Sequence, residues 1–335
     1  MPPTQQSLKL PKTLYLELTN RCNLRCKGCI LYYGSWEPDR DLSLKEVLMI
    51  TDQLPELEQI FLHGIGEPLL NKELFEIIRH LKSRNACVLF NSNGILLSGR
   101  RQLGLIQAGL DELRISLDAA SATGYRKIRN GDRFEHIIEN LRSFGLLQKQ
   151  QRVAHPKLSL WFLGTKDNIS ELPDFVKLAA RLGIAEVYLQ RLVYFQDDKG
   201  YGLAKDSMTL QGPADETSAL IKQSQDMAAK LGIQFNASGL SRPAESLQGQ
   251  QAAQLPWTRC YRPSMLMYIT ANGNVLPCCI SPFSTVDYAS IILGNVFKDT
   301  LAGIWSGSRY RNFRRQHQTA TPPKCCRGCG IQWSL

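Results

Sequence analysis

The stretch TLYLELTNRCNLRCKGC, from Thr13 to Cys29, decides the fold of this 335-residue chain. It opens with an apolar run, Leu14 to Leu18, that is typical of a buried strand, and it continues into a loop that carries Cys22, Cys26 and Cys29. Zinc sites need four ligands, commonly delivered as C-x2-C pairs, whereas C-x3-C-x2-C offers three neighbouring thiolates and no local fourth. Three thiolates can bind three irons of a [4Fe-4S] cube and leave the fourth iron open to another ligand.

Beyond this loop, short apolar runs alternate with helical segments as far as about residue 236. The next five runs are Ile60 to His63, Cys87 to Phe90, Leu113 to Leu117, Leu158 to Leu163 and Val187 to Leu189. Ser43 and Glu46 form a capping-box pattern, and a glycine follows each helix predicted to end near Ala108, Leu182 and Leu231. Six strand-helix units predict an α/β fold with a parallel sheet and right-handed crossovers, curled into a partial (β/α)6 TIM-like barrel.

The composition shifts after the barrel pattern, which predicts a domain boundary. The stretch from Ser238 to Leu255 is rich in Ser, Gln, Ala and Gly, which is typical of a linker. We therefore predict an N-terminal arm at 1–12, a barrel at 13–237, a linker at 238–255 and a small cysteine-rich α+β domain at 256–335. Asn272 and Gly273 predict a hairpin in this last domain.

Composition excludes several classes of protein. Hydrophobic residues at 43% and charged residues at 21% exclude a disordered and a collagen-like chain. The ten cysteines are clustered rather than spread out, and the chain opens without an apolar signal segment, so we expect a cytoplasmic protein without a disulfide framework. No apolar run reaches the roughly 18 residues that span a bilayer.

The cysteine loop and the elements around it resemble the radical S-adenosylmethionine (SAM) superfamily. The resemblance covers residues 13 to about 236 and includes HGIGEP at His63 to Pro68, NSNG at Asn91 to Gly94 and SLD at Ser116 to Asp118. It implies that Cys22, Cys26 and Cys29 hold a [4Fe-4S] cluster whose open iron binds SAM. The residues that it implies for SAM binding are Gly64, Gly66, Glu67, Asn93, Ser116, Asp118 and Arg129, the last as a carboxylate partner.

Two positions depart from the family pattern. Gly28 precedes the third cysteine, where the family usually has an aromatic residue, so adenine packing is expected to fall to Tyr32 or Tyr33. Ile65 interrupts a pair of glycines that is otherwise continuous in the family.

A second cysteine group, Cys260, Cys278, Cys326 and Cys329, has the spacing C-x17-C, a long gap, and C-x2-C. With the surrounding NGNVLPCC and CCRGC, it resembles the SPASM domain, a C-terminal extension that holds auxiliary iron-sulfur clusters. The resemblance implies one auxiliary [4Fe-4S] cluster with four protein ligands. Cys279 and Cys325 leave the ligand set open by one position, and a structural zinc ribbon is the alternative for the same spacing.

The resemblance implies an enzyme that cleaves SAM reductively to a 5′-deoxyadenosyl radical, which then abstracts a hydrogen atom from the substrate. An auxiliary cluster favours net oxidation, so we predict a radical SAM oxidoreductase acting on a small molecule or, alternatively, on a peptide. The small molecule is favoured because only about 12 residues precede the first strand. The expected electron donor is a flavodoxin or ferredoxin type, and no membrane association is expected. The sequence assigns no acid or base on the substrate side.

The alternative from another class is a non-catalytic metal-ribbon protein that binds RNA. It would use the net charge of +10 and the basic run formed by Arg309, Arg311, Arg314 and Arg315. A solvated helix face or a docking site for an acidic electron donor explains the run equally well, so nucleic acid is disfavoured as a partner. The segment from Arg191 to Met208 is a candidate for the mouth of the barrel.

Overall fold

Ten strands form one sheet in the computed structural model, which describes residues 9–192, 208, 210, 215–238, 243, 255–327 and 329. In chain order they are β1 (Thr13–Leu16), β2 (Gln59–Phe61), β3 (Cys87–Ser92), β4 (Glu112–Ser116), β5 (Lys157–Gly164), β6 (Glu186–Arg191), β7 (Gln234–Ala237), β8 (Leu266–Ile269), β9 (Asn274–Leu276) and β10 (Gly294–Asn295). Their order across the sheet is β10-β9-β8-β1-β2-β3-β4-β5-β6-β7.

The helices mostly lie in the connections between strands. They are α1 (Ile30–Tyr33), α2 (Leu44–Thr51), α3 (Leu74–Ser83), α4 (Gly99–Ala108), α5 (Ala122–Arg129), α6 (Phe134–Gln151), α7 (Leu172–Leu182), α8 (Asp215–Leu231), α9 (Arg262–Met265), α10 (Leu301–Trp305), α11 (Ser308–His317) and α12 (Lys324–Arg327). Within the described part of the chain, none of them has the length and apolar character needed to cross a membrane.

The strands β1 to β7 are parallel to their neighbours and follow one another in chain order, with helices in the connections. This arrangement confirms the predicted partial TIM-like barrel. Two parallel neighbours go beyond the prediction: β7 extends the sheet past β6, and β8 pairs with β1 on the opposite edge, from Thr13 opposite Leu266 to Leu16 opposite Ile269. The C-terminal region therefore continues the barrel sheet.

Alternation along the strands separates a helix-covered face from an inner face. On β1, Leu14 and Leu16 are fully buried in the core between sheet and helices, while Tyr15 points to the other side and lines the interior of the barrel. Successive side chains of a strand point to opposite faces, so the inner positions are free to carry polar and aromatic groups. The barrel interior therefore presents polar and aromatic side chains.

Several helix boundaries follow the sequence signals. The Ser43 side chain accepts a hydrogen bond from the Glu46 backbone, and the Glu46 carboxylate accepts one from the Ser43 backbone, which confirms the capping box. Gly109 and Gly183 end α4 and α7 in the left-handed conformation, which residues with a Cβ adopt at a cost. These caps turn the chain back toward the next strand.

The C-terminal region is built on the antiparallel hairpin of β8 and β9, whose turn contains Asn272 and Gly273 as predicted. β10 adds a short third strand. The domain limits at 237 and 256 stay predictions, since most of the predicted linker lies outside the described residues. Residues 193–207, most of the segment predicted to line the barrel mouth, also lie outside them.

Candidate functional site

A cavity of about 610 Å³ occupies the interior of the barrel. Its walls include the three thiols of the first cysteine loop at one side and Arg262, Cys279 and Phe283 of the C-terminal region at another. Pockets of a few hundred cubic ångströms are the usual size of small-ligand sites. The cavity is therefore large enough for a cofactor together with part of a substrate.

The first cysteine loop connects β1 to α1 and places Cys22, Cys26 and Cys29 on the cavity wall. The Cys29 backbone N–H donates to the Cys26 carbonyl at 2.9 Å, which closes a tight turn between the two thiols. Burial raises the pKa of Cys22 to about 11 and that of Cys29 to about 12. Bound cations would therefore be needed to keep these thiols ionised.

Nitrogen donors surround the sulfurs of this loop. The backbone N–H of Leu24 donates to Cys22 Sγ at 3.5 Å, Asn93 Nδ2 lies 3.9 Å from the same sulfur, and Arg129 Nη1 donates to Cys26 Sγ at 3.7 Å. Such donors stabilise thiolate sulfur, the ligand of an iron-sulfur cluster. No three His, Cys, Asp or Glu side chains of the described residues converge on a point as one metal ion requires. A cube binds each thiolate at a different iron, and three neighbouring thiols on one cavity wall with nitrogen donors beside them fit a [4Fe-4S] cluster.

The GIGE segment after β2 is fixed by close backbone packing. A Cβ at Gly64 would lie 2.1 Å from Glu17 Oε2, and one at Gly66 would lie 2.0 Å from the Thr19 carbonyl oxygen, so both positions require glycine. The N–H of Ile65 donates to Glu17 Oε2 at 2.6 Å. Ile65 is accommodated between the two glycines, because the close contacts that exclude a side chain occur at Gly64 and Gly66.

Glu67 is buried and its carboxylate is held on three sides. Its Oε1 accepts from the Ser92 hydroxyl at 2.8 Å and from the Leu69 N–H at 3.2 Å, and its Oε2 accepts from the Asn93 N–H at 2.8 Å. A carboxylate has about four acceptor sites, so one remains for a ligand donor. Burial raises the pKa of Glu67, and these hydrogen bonds oppose that rise.

The seven residues expected to bind SAM do not all face the cavity. Gly64, Gly66, Glu67, Asn93, Ser116 and Arg129 line it. Asp118 lies behind them: its Oδ1 accepts from the Leu163 N–H at 2.7 Å and its Oδ2 pairs with Arg129 Nη2 at 2.5 Å. Asp118 is thus placed to orient Arg129, and the Nε of Arg129 is buried without a hydrogen-bond partner.

The two tyrosines considered for adenine packing differ in position. Tyr33 lines the cavity, and its hydroxyl donates to the Lys27 carbonyl at 2.7 Å. Tyr32 does not line the cavity, and 45% of its surface is exposed. Of the two, Tyr33 is placed to contact a ligand near Gly28.

The second cysteine group surrounds a smaller cavity in the C-terminal region. The four predicted ligands line it, namely Cys260, Cys278, Cys326 and Cys329. Cys325 lines it as well, with its Sγ 3.9 Å from Cys326 Sγ, whereas Cys279 faces the barrel cavity instead. Arg262 lines both cavities and donates to Cys260 Sγ at 3.7 Å. Five thiols around one space, with a guanidinium beside them, fit a thiolate-bound cluster.

Sequence reasoning missed the polar and aromatic wall inside the barrel. Tyr15 stacks on Phe61 at 4.1 Å, Trp161 stacks on Tyr188 at 4.1 Å, and the guanidinium of Arg114 lies between the Phe61 and Trp161 rings at 5.4 and 4.9 Å. Every second residue of a strand faces inward, so the alternation of Tyr15 with Leu14 and Leu16 was the signal that could have found this wall.

His63 lies above this wall as a neutral side chain. The N–H of Asn91 donates to His63 Nδ1 at 3.2 Å, so the proton of the neutral ring is on Nε2. Burial, with a smaller contribution from Arg114, lowers the pKa of His63 to about 3. The ring can therefore donate one hydrogen bond to a ligand but does not carry a positive charge at neutral pH.

The basic run lies on α11 and is only partly a solvated face. Tyr310 and Phe313 are buried, as predicted. Arg314 is packed over the ring of Trp305 at 3.8 Å, and its guanidinium donates to the carbonyls of Pro263 and Trp305. Because Arg314 is engaged in this packing, the positive charge open to a partner comes from the other arginines of the run.

Comparisons with known proteins match two regions of the chain. Residues 16–179 match the model of the Radical SAM superfamily, and residues 260–330 match the SPASM model, an iron-sulfur cluster-binding domain. The second match supports the cluster over the zinc ribbon considered for the same cysteines. Together the two domains imply [4Fe-4S] clusters.

Three of the relatives resemble the chain over nearly all of its length. A tungsten-containing aldehyde ferredoxin oxidoreductase cofactor-modifying protein of Pyrococcus furiosus is 25% identical, over 94% of this chain and 86% of the relative. The mycofactocin maturase MftC of Mycolicibacterium smegmatis is 26% identical, over 97% and 77%, and the PqqA peptide cyclase of Granulibacter bethesdensis is 24% identical, over 98% and 82%.

Solved structures share the fold. Streptococcus suis SuiB bound to S-adenosylmethionine superposes with a TM-score of 0.69 at 17% identity, over 97% of this chain and 72% of that one. SuiB bound to its precursor peptide SuiA superposes with a TM-score of 0.65 at 15% identity, over 97% and 71%.

Proposed function

This chain belongs to the radical SAM superfamily and carries a SPASM domain, and from this premise we propose that it oxidatively modifies a peptide. The observation that carries the proposal is the barrel cavity, which has the Cys22 loop at one side and Cys279, the neighbour of Cys278, at another. A substrate in this cavity lies between the two thiol groups. Cys22, Cys26 and Cys29 would hold a [4Fe-4S] cluster, which together with SAM would supply the 5′-deoxyadenosyl radical chemistry that removes a hydrogen atom.

The residues of the chain bind and orient the reactants. We assign Glu67 and the backbone at Gly64 and Gly66 to the amino group of SAM, Asn93 and Ser116 to its ribose, and Arg129 to its carboxylate. Arg129 keeps a buried Nε without a partner, which supports an additional acceptor there. The aromatic rings around Arg114 form one wall of the same cavity, where a bound substrate would contact them.

The C-terminal thiols provide a second set of cluster ligands close to the same cavity. Arg262 lines both spaces and lies near the sulfurs of Cys260, Cys278 and Cys279, whose charges, against the effect of burial, raise its pKa. These thiols would hold a cluster that would supply an acceptor for the electron that a substrate radical loses, which supports oxidation as the net outcome. We assign Cys260, Cys278, Cys326 and Cys329 as the ligands.

We place the peptide ahead of the small molecule favoured by the sequence because of the relatives. Two of them are named a maturase and a peptide cyclase, and SuiB has been solved with a precursor peptide. A small molecule is the second candidate, supported by the cavity volume of about 610 Å³, which is in the range of small-ligand sites.

An acidic, low-potential electron donor of the flavodoxin or ferredoxin type completes the proposal. The net charge of +10 supports an acidic partner, and ten cysteines that form no disulfide among the described residues support a reducing, cytoplasmic environment.

The proposal is tested with anaerobically reconstituted protein. We expect about eight irons and eight sulfides per chain, as two cubes of four, and release of 5′-deoxyadenosine from SAM with dithionite. Short peptides encoded beside the gene should raise that release and lose two hydrogens by mass spectrometry, whereas small hydroxylated or amino compounds should not. The Cys26→Ala variant is the control. Failure of the wild type to cleave SAM would refute the function, and turnover of the small compounds alone would favour the second candidate.

A further inference from the structure

The segment that follows α1, residues 35–41, touches both the first cysteine loop and the C-terminal region. We call it the bridging segment. On one side it approaches the hairpin of β8 and β9, and on the other it packs beside the chain that leads from β1 into Cys22. The bridging segment therefore connects the C-terminal region physically to the loop with the three thiols.

Glu37 makes the contacts of the bridging segment with the C-terminal region. Its Oε1 accepts hydrogen bonds from Asn274 Nδ2 at 2.7 Å, the Tyr288 hydroxyl at 2.8 Å and the Thr270 hydroxyl at 3.1 Å. Its Oε2 accepts from Asn272 Nδ2 at 3.1 Å. All four donors are neutral side chains from one region, more than 200 positions away in the sequence.

Aromatic contacts reinforce this attachment. The Trp36 ring stacks on the Tyr288 ring, with centroids 5.7 Å apart and planes 8° from parallel. The Arg40 guanidinium lies 4.5 Å from the centre of the Phe297 ring. Among the described residues, no ion pair includes Glu37, so its half-buried carboxylate is held by neutral hydrogen-bond donors.

The other side of the bridging segment is bonded to Asn20, two residues before Cys22. Asn20 Nδ2 donates to the Pro38 carbonyl at 2.8 Å, and Asn20 Oδ1 accepts from the Arg40 N–H at 2.8 Å. Asn272 Nδ2 also donates to the Pro38 carbonyl, at 2.9 Å. A continuous set of hydrogen bonds thus runs from the hairpin through Glu37 and Pro38 to the start of the cysteine loop.

We propose that Glu37 is a positioning residue through which the C-terminal region holds the first cysteine loop in its SAM-binding arrangement. The inference rests on the proposed function, because it takes the Cys22 loop as the site of the SAM-binding cluster. Glu37 lines neither thiol cavity, so it acts through Asn20 and the loop rather than on the reactants. The C-terminal region then has a second role, which is to position the first cysteine loop, in addition to binding its own cluster.

The central test is the affinity of reconstituted holoenzyme for SAM. Glu37→Ala removes the carboxylate that accepts all four hydrogen bonds. The first cysteine loop can then leave its SAM-binding arrangement. If the competent fraction falls to about one-tenth, the apparent Kd for SAM rises about tenfold, or 1.4 kcal/mol. The rate of 5′-deoxyadenosine release at saturating SAM, and the iron content, should stay close to those of the wild type. Glu37→Gln keeps one acceptor oxygen and should recover part of the affinity.

A substitution of Tyr288, which donates a hydrogen bond to Glu37, tests the same connection from the side of the C-terminal region. Tyr288→Phe removes one donor but keeps the stack on Trp36, and it should weaken SAM binding about threefold in the wild type and not at all in the Glu37→Ala background. Asp39→Ala is the matched control, because Asp39 is exposed on the same segment.

Two results would overturn the inference: wild-type affinity for SAM in Glu37→Ala with full iron content, or additive effects of Glu37→Ala and Tyr288→Phe. A wild-type protein that binds SAM without cleaving it would instead refute the proposed function and leave this test intact.

Discussion

Arg129 Nη2 lies 2.5 Å from Asp118 Oδ2, and both side chains are largely buried beside the first cysteine loop. Although burial acts to lower it, the charges of Asp118 and Cys26 raise the pKa of Arg129, which keeps the guanidinium charged. Removing one partner of a buried ion pair leaves an uncompensated charge, which costs about 3 to 5 kcal/mol.

Asp118→Asn is therefore expected to lower the free energy of unfolding by about 3 kcal/mol, measured by denaturation at equal iron content. In the double variant with Arg129→Met the loss should be smaller than the sum of the single losses. Asp132→Asn, which breaks an exposed pair with Arg126, is the control and should cost under about 1 kcal/mol. Equal losses for Asp118→Asn and Asp132→Asn would contradict the buried-pair assignment.

Glu17 gives the protein a pH dependence of a definite sign. Burial raises its pKa from 4.5 to about 7, against hydrogen bonds from Ile65, Ala271 and Tyr268 that act to lower it. The folded chain therefore keeps a proton that the unfolded chain releases, so the stability contributed by this group is present below about pH 4.5 and is lost as the pH rises toward 7. The shift corresponds to about 3 kcal/mol.

Glu17→Gln should remove this dependence. The amide oxygen can still accept from Ile65 and Tyr268, so the variant should gain stability relative to the wild type between pH 5 and pH 8. Denaturation midpoints across that range measure the difference. A difference between the two proteins that does not vary with pH would show that Glu17 is not the group responsible.

Gly66 is expected to be intolerant of any side chain. In Gly66→Ala the Cβ would lie 2.0 Å from the carbonyl oxygen of Thr19, which forces the GIGE segment away from the cysteine loop. We expect affinity for SAM to fall by more than about tenfold, with a stability loss of about 1 to 3 kcal/mol. Gly99→Ala is the matched control, since a Cβ there meets nothing within 4 Å, and it should leave both quantities unchanged. The same affinity for both variants would contradict the packing argument.

The C-terminal region has two pairs of adjacent cysteines, and we expect the two members of each pair to differ in how much iron is lost when one of them is replaced. Cys278→Ser should reduce iron from about eight to about four per chain, whereas Cys279→Ser should keep about eight, because Cys279 faces the other cavity. Cys325→Ser and Cys326→Ser compare the two thiols that lie 3.9 Å apart, and we expect the larger loss for Cys326. Loss of four irons in Cys279→Ser would reassign the ligand.

The sequence predicted what is encoded locally. Apolar runs located β1 to β6, and Gly109 and Gly183 marked two helix ends, because strand alternation and helix capping depend on residues close to one another. The three thiols of the first loop could be placed together for the same reason, since they lie within eight positions of one another.

Contacts between distant segments were not predictable. The pairing of β1 with β8 joins parts of the chain separated by the whole barrel, and no local pattern records it. Cys278 and Cys279 are chemically identical neighbours, so only the course of the backbone decides which cavity each one faces. Glu17 did leave a signal, because a charged residue between Leu16 and Leu18 in an apolar run marks a buried carboxylate that needs donors.

The pairing of β1 with β8 also bears on how the chain folds as it is made. One edge of β1 stays open until Leu266 to Ile269 have left the ribosome, and at ordinary rates of translation that interval lasts on the order of tens of seconds. An open strand edge invites pairing with other chains. The nascent barrel is thus exposed to aggregation until its C-terminal region arrives, and truncation before β8 would make that exposure permanent.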